Sequence, residues 1–190
     1  YTLGGGGTFR VEVAEERWLR IHPEGQEAYA LLNGGRAEPP LTELGARAVE
    51  VLQAARRGDF APLQAAFGEH QPLERVRADH EDFMSAYTGS MGALQGVEHV
   101  GTAALGRGAS TVVRLRFERG TRFLRISWED GAIGGIRRLR ESPPALFVPV
   151  AGDAWASYDL VTGASGRVRF QDGALVVDTP AGPVRAPRGV

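Results

Sequence analysis

The chain has 190 residues, 43% of them apolar and 24% charged, and a net charge of −1. It is long enough to bury a proper core as one large domain or two small ones, and it carries no global field to attract nucleic acid or an anionic membrane. Cysteine and lysine are both absent, all 22 basic residues being arginine. This excludes disulfides, thiolate nucleophiles, Cys-ligated metals, Schiff-base and P-loop lysines, and the Ser-x-x-Lys pair of penicillin-recognising enzymes.

No run approaches the length of a transmembrane helix, and the first residues do not read as a signal peptide. The chain begins at Tyr1 and not at Met, which predicts a fragment or a processed product. After the flexible Gly4–Gly7, Thr8–Val13 alternates, with Phe9, Val11 and Val13 on one face and Arg10 and Glu12 on the other. That period marks a half-buried strand. Arg17–His22 alternates likewise, Pro23-Glu24-Gly25 reads as a turn, and Gln26–Leu32 reads as a third strand ended by Asn33-Gly34-Gly35. A three-strand meander is too little to stand alone.

Arg36–Pro40 reads as a linker whose double Pro blocks a helix. Thr42 is a good N-cap, and Leu44, Ala48, Val51 and Ala55 recur at helical spacing up to Arg56. Gly58 ends this helix and Asp59 can cap a short second one, striped by Phe60, Leu63 and Phe67. A third helix is expected over Pro72–Met91. Its stripe is Leu73, Val76, His80, Phe83, Tyr87 and Met91, and its opposite face carries Arg75, Arg77, Asp79, Glu81 and Asp82.

Strands follow at Gly96–Ala104, Thr111–Phe117, Thr121–Trp128 and Ala132–Arg138. The second and third form the clearest hairpin. Val113, Leu115 and Phe117 oppose Arg114 and Arg116, and Leu124, Ile126 and Trp128 oppose Phe123, Arg125 and Ser127. Glu129-Asp130-Gly131 is a hairpin turn, and Gly134-Gly135 permits a bulge. Beyond Pro143-Pro144, β character returns in Leu146–Val150, Trp155–Leu160, Arg167–Gln171, Leu175–Asp178 and Val184–Ala186. The predicted fold class is therefore α+β. Residues 41–140 form a unit of helices packed on a curved antiparallel sheet. It is inserted into a discontinuous antiparallel β-barrel-like domain made of residues 1–36 and 145–190.

Candidate chemistry is sparse. His80 lies on the apolar stripe with Tyr87 two turns on. It is either an acid or base in a pocket or a core-edge histidine satisfied by one hydrogen bond. Phe83, Phe117 and Trp128 either line a cavity between sheet and third helix or fill it. His80, Phe83, Tyr87, Phe117 and Trp128 are thus the cavity candidates. His22, His70, His80 and His99 include no pair at i,i+4 and no His-Glu-x-x-His, so neither a metal nor a cofactor is expected. Asp79, Glu81 and Asp82 read as a solvated face. Thr88-Gly89-Ser90-Met91-Gly92 is not a nucleophile elbow, because it ends a helix and Thr replaces the first Gly. Gly106-x-Gly108 lacks a third Gly and a following helix, and is a turn. Arg114, Arg116, Arg122 and Arg125 either hold an anion or form a solvated sheet face beside Glu118 and Glu129.

Two resemblances add to this. Arg57-Gly58-Asp59-Phe60-x-x-Leu63-x-x-x-Phe67, the long third helix, and Phe117-Glu118-Arg119-Gly120 through Trp128-Glu129-Asp130-Gly131-x-Ile133-x-Gly135 resemble the nuclear-transport-factor-2-like, or ketosteroid-isomerase-like, fold. That fold hosts enzymes, binding modules and dimerisers alike. The isomerase members would imply an Asp base with Tyr and protonated Asp donors. Only Tyr87 and Asp79 or Asp82 are of the right type, and no motif aligns them, so those roles are not carried over.

The flanks, through Tyr1-x-x-Gly4, Phe9–Val13 and Ser165-Gly166-Arg167-Val168-Arg169-Phe170 followed by Gly173, are similar to the lipocalin-like C-terminal appendage of beta-lactamase-related serine hydrolases. This resemblance implies a non-catalytic accessory region of a bacterial hydrolase, periplasmic or extracytoplasmic. Its expected partners are the catalytic domain of a larger polypeptide, a small apolar ligand, or a second copy of itself. Two alternatives stand beside it. One is a small isomerase- or cyclase-like enzyme using His80 and Tyr87. The other is an apolar-ligand carrier, using either the α+β cavity or a β-domain lumen that Val11, Leu19 and Phe170 would have to leave open.

Overall fold

A computed structural model describes residues 1–14, 17–33, 39–68, 71–105, 107–141, 143–158 and 165–189. Among these the chain is α+β, with four helices, a curled antiparallel half-barrel sheet and a second sheet. It divides into two compact units.

The first unit comprises Tyr1–Thr42, Val100–Gly106 and Pro143–Val190. Its sheet has seven strands: β1 (Thr8–Val13), β2 (Leu19–Glu24), β7 (Ala145–Val150), β8 (Ala154–Tyr158), β9 (Ser165–Gln171), β10 (Ala174–Thr179) and β11 (Gly182–Pro187), adjacent in that order. Every neighbouring pair is antiparallel. Tyr1 and Thr2 bond to both edge strands: Phe9 N donates to Tyr1 O at 2.8 Å, and Thr2 N donates to Pro187 O at 3.0 Å. The core lies on one face, where Phe9, Leu19, Ile21, Phe147, Val168, Leu175 and Val177 are buried at alternate positions. Each such side chain contributes about 1.5–3 kcal/mol by leaving water. Val11 packs against this cluster. Phe170 closes on Tyr1 and Trp155 at ring distances of 5.7 and 5.5 Å. Leu19 is buried on this face, Val11 is half-buried and Phe170 is 36% exposed.

Three sequence expectations need correction here. Gln26–Leu32 is a helix, α1, and not a strand. Ala28, Tyr29, Ala30 and Leu32 are all buried, a consecutive pattern that no half-buried strand shows. Ala28 and Leu32, one turn apart, enter the core cluster. The turn expected at Pro23-Glu24-Gly25 comes later, because β2 runs through Glu24 with Pro23 opposite Phe9. β7 pairs with β2 only over Leu19–Ile21, so Pro23 lies beyond that ladder, where its missing N–H is tolerated. Gly25, at φ 88°, makes the turn into α1. Finally, Pro39-Pro40 does not block a helix: α2 (Pro39–Arg56) begins with it. First-turn N–H groups have no intrahelical acceptor, so Pro costs nothing there.

The second unit comprises Glu43–His99 and Arg107–Ser142. It holds most of α2, then α3 (Ala61–Ala66), α4 (Leu73–Met91) and a four-stranded sheet, of whose first strand it takes the part up to His99. The sheet order is β3 (Leu94–Leu105), β4 (Gly108–Phe117), β5 (Gly120–Glu129) and β6 (Ala132–Leu139). The central hairpin pairs Val113 with Leu124 and Thr111 with Ile126. Its apolar face is buried throughout, with Val113 and Ile126 at 0% exposure. β5 and β6 meet with a register shift: Ser127 faces Gly135 and Trp128 faces Ile133. Gly134 is the extra residue, as a bulge requires. The Asp130-Gly131 and Asp172-Gly173 turns all have positive φ (50°, 79°, 49° and 74°), the geometry that twists two strands into a hairpin.

α2 buries Ala48, Val51, Leu52 and Ala55 and ends before Gly58, at φ 87°. The Asp59 carboxylate accepts the Ala61 N–H at 3.2 Å at the start of α3, although Phe60 and not Asp59 holds the N-cap position. α4 carries i,i+4 pairs on its outer face, Arg75–Asp79 at 3.6 Å and Arg77–Glu81 at 2.9 Å. Its stripe is buried at Val76 and Met91, half-buried at His80, Phe83 and Tyr87, and exposed at Leu73.

Candidate functional site

That half-buried stripe borders a cavity of about 220 Å³ inside the second unit. Leu52 from α2, Leu63 from α3, Val76 from α4 and Leu124 from β5 line it, and each is at most 3% exposed. Phe67, Phe83 and Ile136 extend the apolar wall. His80, Gln71 and Asp79 are the polar groups among the described lining residues.

His80 and Phe83 line the cavity. Tyr87, Phe117 and Trp128 stand elsewhere. Tyr87 packs its ring against Phe83 at 6.4 Å and Phe117 at 5.8 Å, so it sits behind Phe83 along the helix. Phe117 is buried in the sheet core. Trp128 is 2% exposed and donates its indole N–H to Thr111 Oγ1 at 2.8 Å. Asp79, expected on a solvated face, pairs with Arg75 and also reaches the cavity rim. Successive helical residues diverge by only about 100°, so Asp79 borders the stripe and does not oppose it.

Sequence reasoning missed Arg138. Its register opposite Leu124 puts it on the apolar face of the sheet. Its guanidinium donates to Phe83 O at 2.7 Å and lies 4.3 Å from the Phe83 ring centroid and 5.5 Å from that of Tyr87. A cation over two ring faces holds those rings in place. The alternation of β6 was a signal for this residue, but the bulge at Gly134 shifts the register on which such a reading depends.

The electrostatics of the site favour neutral side chains. Burial pushes the His80 imidazole below its ordinary 6.5, and the nearby Glu81 carboxylate only partly opposes this. Its ring meets Phe60 edge-on at 5.5 Å. Among the described residues no side chain hydrogen-bonds it, so no group orients it as a base. Burial raises the Tyr87 phenol, and the Arg138 and Arg122 cations offset part of the rise. Near neutral pH both groups are uncharged.

A pH effect follows. Between the folded-state value and 6.5 the unfolded chain binds the His80 proton more readily, so this residue lowers stability as pH falls through that window. Wild type should lose stability relative to His80→Gln between about pH 7 and about pH 5, read by urea unfolding at both pH values. A pH-independent difference would contradict the burial.

Other candidates stay apart. His22 is buried in β2 with Nε2 3.5 Å from Glu12 Oε2, His99 packs beneath Gly45, and His70 lies outside the described residues. Among the described residues, no group of three or more acidic or imidazole side chains could hold a metal. The arginine ladder is split between faces. Arg114 and Arg116 bind Glu98 at 3.5 and 2.7 Å, while Arg122 donates to Thr121 O on the opposite side. Ser90 donates to Tyr87 O at 3.3 Å. No helix among the described residues is long and apolar enough to cross a membrane. Comparison with family models, with curated proteins and with solved structures finds no match.

Proposed function

We propose that this chain is a non-catalytic accessory region that binds a small apolar ligand in the cavity of its second unit. The observation that carries this is a cavity of about 220 Å³ with a wall of Leu, Val, Phe and Ile and a few polar groups at one side. Ligand sites have this composition. An apolar cavity of about 150 Å³ accepts benzene, so there is room for one ring or a small pair of fused rings. A neutral His80 with no orienting side chain among the described residues suits binding better than proton transfer.

In this reading the seven-stranded sheet is a barrel-like domain, and the α+β unit is an insertion of nuclear-transport-factor-2-like type. The whole is the C-terminal region of a bacterial beta-lactamase-related serine hydrolase. There it serves substrate access, ligand binding or dimerisation. The support is the residue resemblance of the flanks and the absence of any lysine for a Ser-x-x-Lys pair.

The test is a titration with ethylbenzene, followed through the methyl NMR signals of Leu63, Leu124 and Ile136. Binding with a Kd of about 0.1–1 mM is expected. It should be lost in Val76→Phe, whose added ring enters the cavity. Unmoved methyl signals would overturn the binding reading. The purified chain should hydrolyse neither a beta-lactam nor an ester. Robust turnover abolished by one substitution, such as His80→Phe, would instead favour the stand-alone enzyme, a reading that the placement of His80 beside the cavity keeps in view.

A further inference from the structure

The cavity is graded from dry to wet. Leu63 and Leu124 are 1% exposed, Val76 2% and Leu52 3%, whereas Gln71 is exposed and the Asp79 side chain is 66% exposed. His80, half-buried, stands between these ends. A bound ring would leave water at the leucine end, and any polar substituent would be directed toward His80 and the rim.

The three polar groups share one property, which is that each can accept a hydrogen bond. The Asp79 carboxylate can only accept. The neutral imidazole of His80 presents one bare ring nitrogen, and Gln71 presents an amide oxygen. The only charged lining group among the described residues is therefore an anion. Among the described residues, three nearby cations are engaged. Arg75 is 3.6 Å from Asp79, an exposed pair of little strength. Arg77 is held by Glu81, and Arg138 donates to Phe83 O while lying over that ring.

Resting on the ligand-binding reading above, we infer that the cavity selects a small ring bearing a hydrogen-bond donor, a hydroxyl or an ammonium, over one bearing a carboxylate. A hydroxyl gives its proton to His80 or the rim, and an ammonium also gains the Asp79 charge. A carboxylate would face the Asp79 charge, a repulsion that the ring N–H of neutral His80 and the Gln71 amide N–H offset only in part.

Four matched ligands test this by the same methyl titration: ethylbenzene, 4-ethylphenol, phenethylamine and 3-phenylpropionate. The phenol should bind about twofold tighter than ethylbenzene, and the amine, which also gains the Asp79 charge, about fivefold tighter. The acid should bind about tenfold more weakly than the amine. Asp79→Asn should bring the amine down to the level of the phenol. His80→Phe should remove the advantage of the phenol over ethylbenzene. If the acid binds as tightly as the amine, or all four bind alike, the selectivity is overturned while the cavity remains a ligand site. If no ligand moves the Leu63, Leu124 and Ile136 signals, both readings fall.

Discussion

Trp128→Ala is expected to lower the unfolding free energy of the second unit by about 4 kcal/mol. Trp128 is 2% exposed and is among the largest fully buried side chains of the chain. Truncation removes its apolar contacts and leaves a void that β4, β5 and β6 cannot collapse around, because their register is fixed on both sides of β5. Two further contacts go with it. The indole N–H donates to Thr111 Oγ1, itself 0% exposed, and the Arg47 guanidinium lies 5.7 Å from the ring centroid. The parts can be separated. Thr111→Val keeps the volume and orphans a buried N–H, at a cost of about 1–3 kcal/mol. Urea unfolding of the three proteins measures both terms. A Trp128→Ala cost below about 1 kcal/mol would mean that the site is open to water, contrary to its burial.

The same residue shows what was legible in the sequence. Trp128 belongs to a strict alternation across β4 and β5, and a sheet with one buried face imposes that period. The hairpin, the Asp130-Gly131 turn and the room for a bulge at Gly134-Gly135 could be read for this reason. Gln26–Leu32 could not. Its residues fit a seven-residue strand or two helical turns equally, and a short apolar run carries too little period to decide. What decides is Gly25 at positive φ and the burial of three consecutive side chains, and neither is visible before the chain folds. Pro39-Pro40 is ambiguous for another reason: proline breaks a helix in its interior but is tolerated in its first turn, and the pair alone does not show where the helix begins.

The site was legible along α4 and, through Leu63 and Phe67, along the stripe of the short helix before it. The spacing of Val76, His80 and Phe83 put them on one face, and all three line the cavity. Leu52, Leu124 and Ile136 come from three other elements. Their meeting depends on how helices pack on the sheet, which local pattern does not encode. Whether a ring fills a space or borders it is likewise a matter of tertiary distance, so Trp128 and Phe83 looked alike in the sequence.

Gly101→Ala should destabilise the first unit by about 3 kcal/mol. A Cβ added at Gly101 would lie 2.3 Å from both Cβ and Cγ of Tyr29, far inside contact distance. Tyr29 is 5% exposed on α1. Swinging the ring away relieves only the Cγ clash, because Cβ moves with the helix backbone. α1 would have to lift, and Ala28 and Leu32 would leave the core cluster with it. The neighbouring hydrogen bonds would stretch as well: Gln26 Nε2 donates to Thr102 O at 2.8 Å, and Thr102 N donates to Gln26 Oε1 at 2.7 Å. Gly4→Ala is the control, since nothing lies within 4 Å of its added Cβ and a change within about 0.5 kcal/mol is expected. Hydrogen exchange of the α1 amides should quicken in Gly101→Ala and not in Gly4→Ala. Equal stability of the two variants would show that α1 does not rest on Gly101.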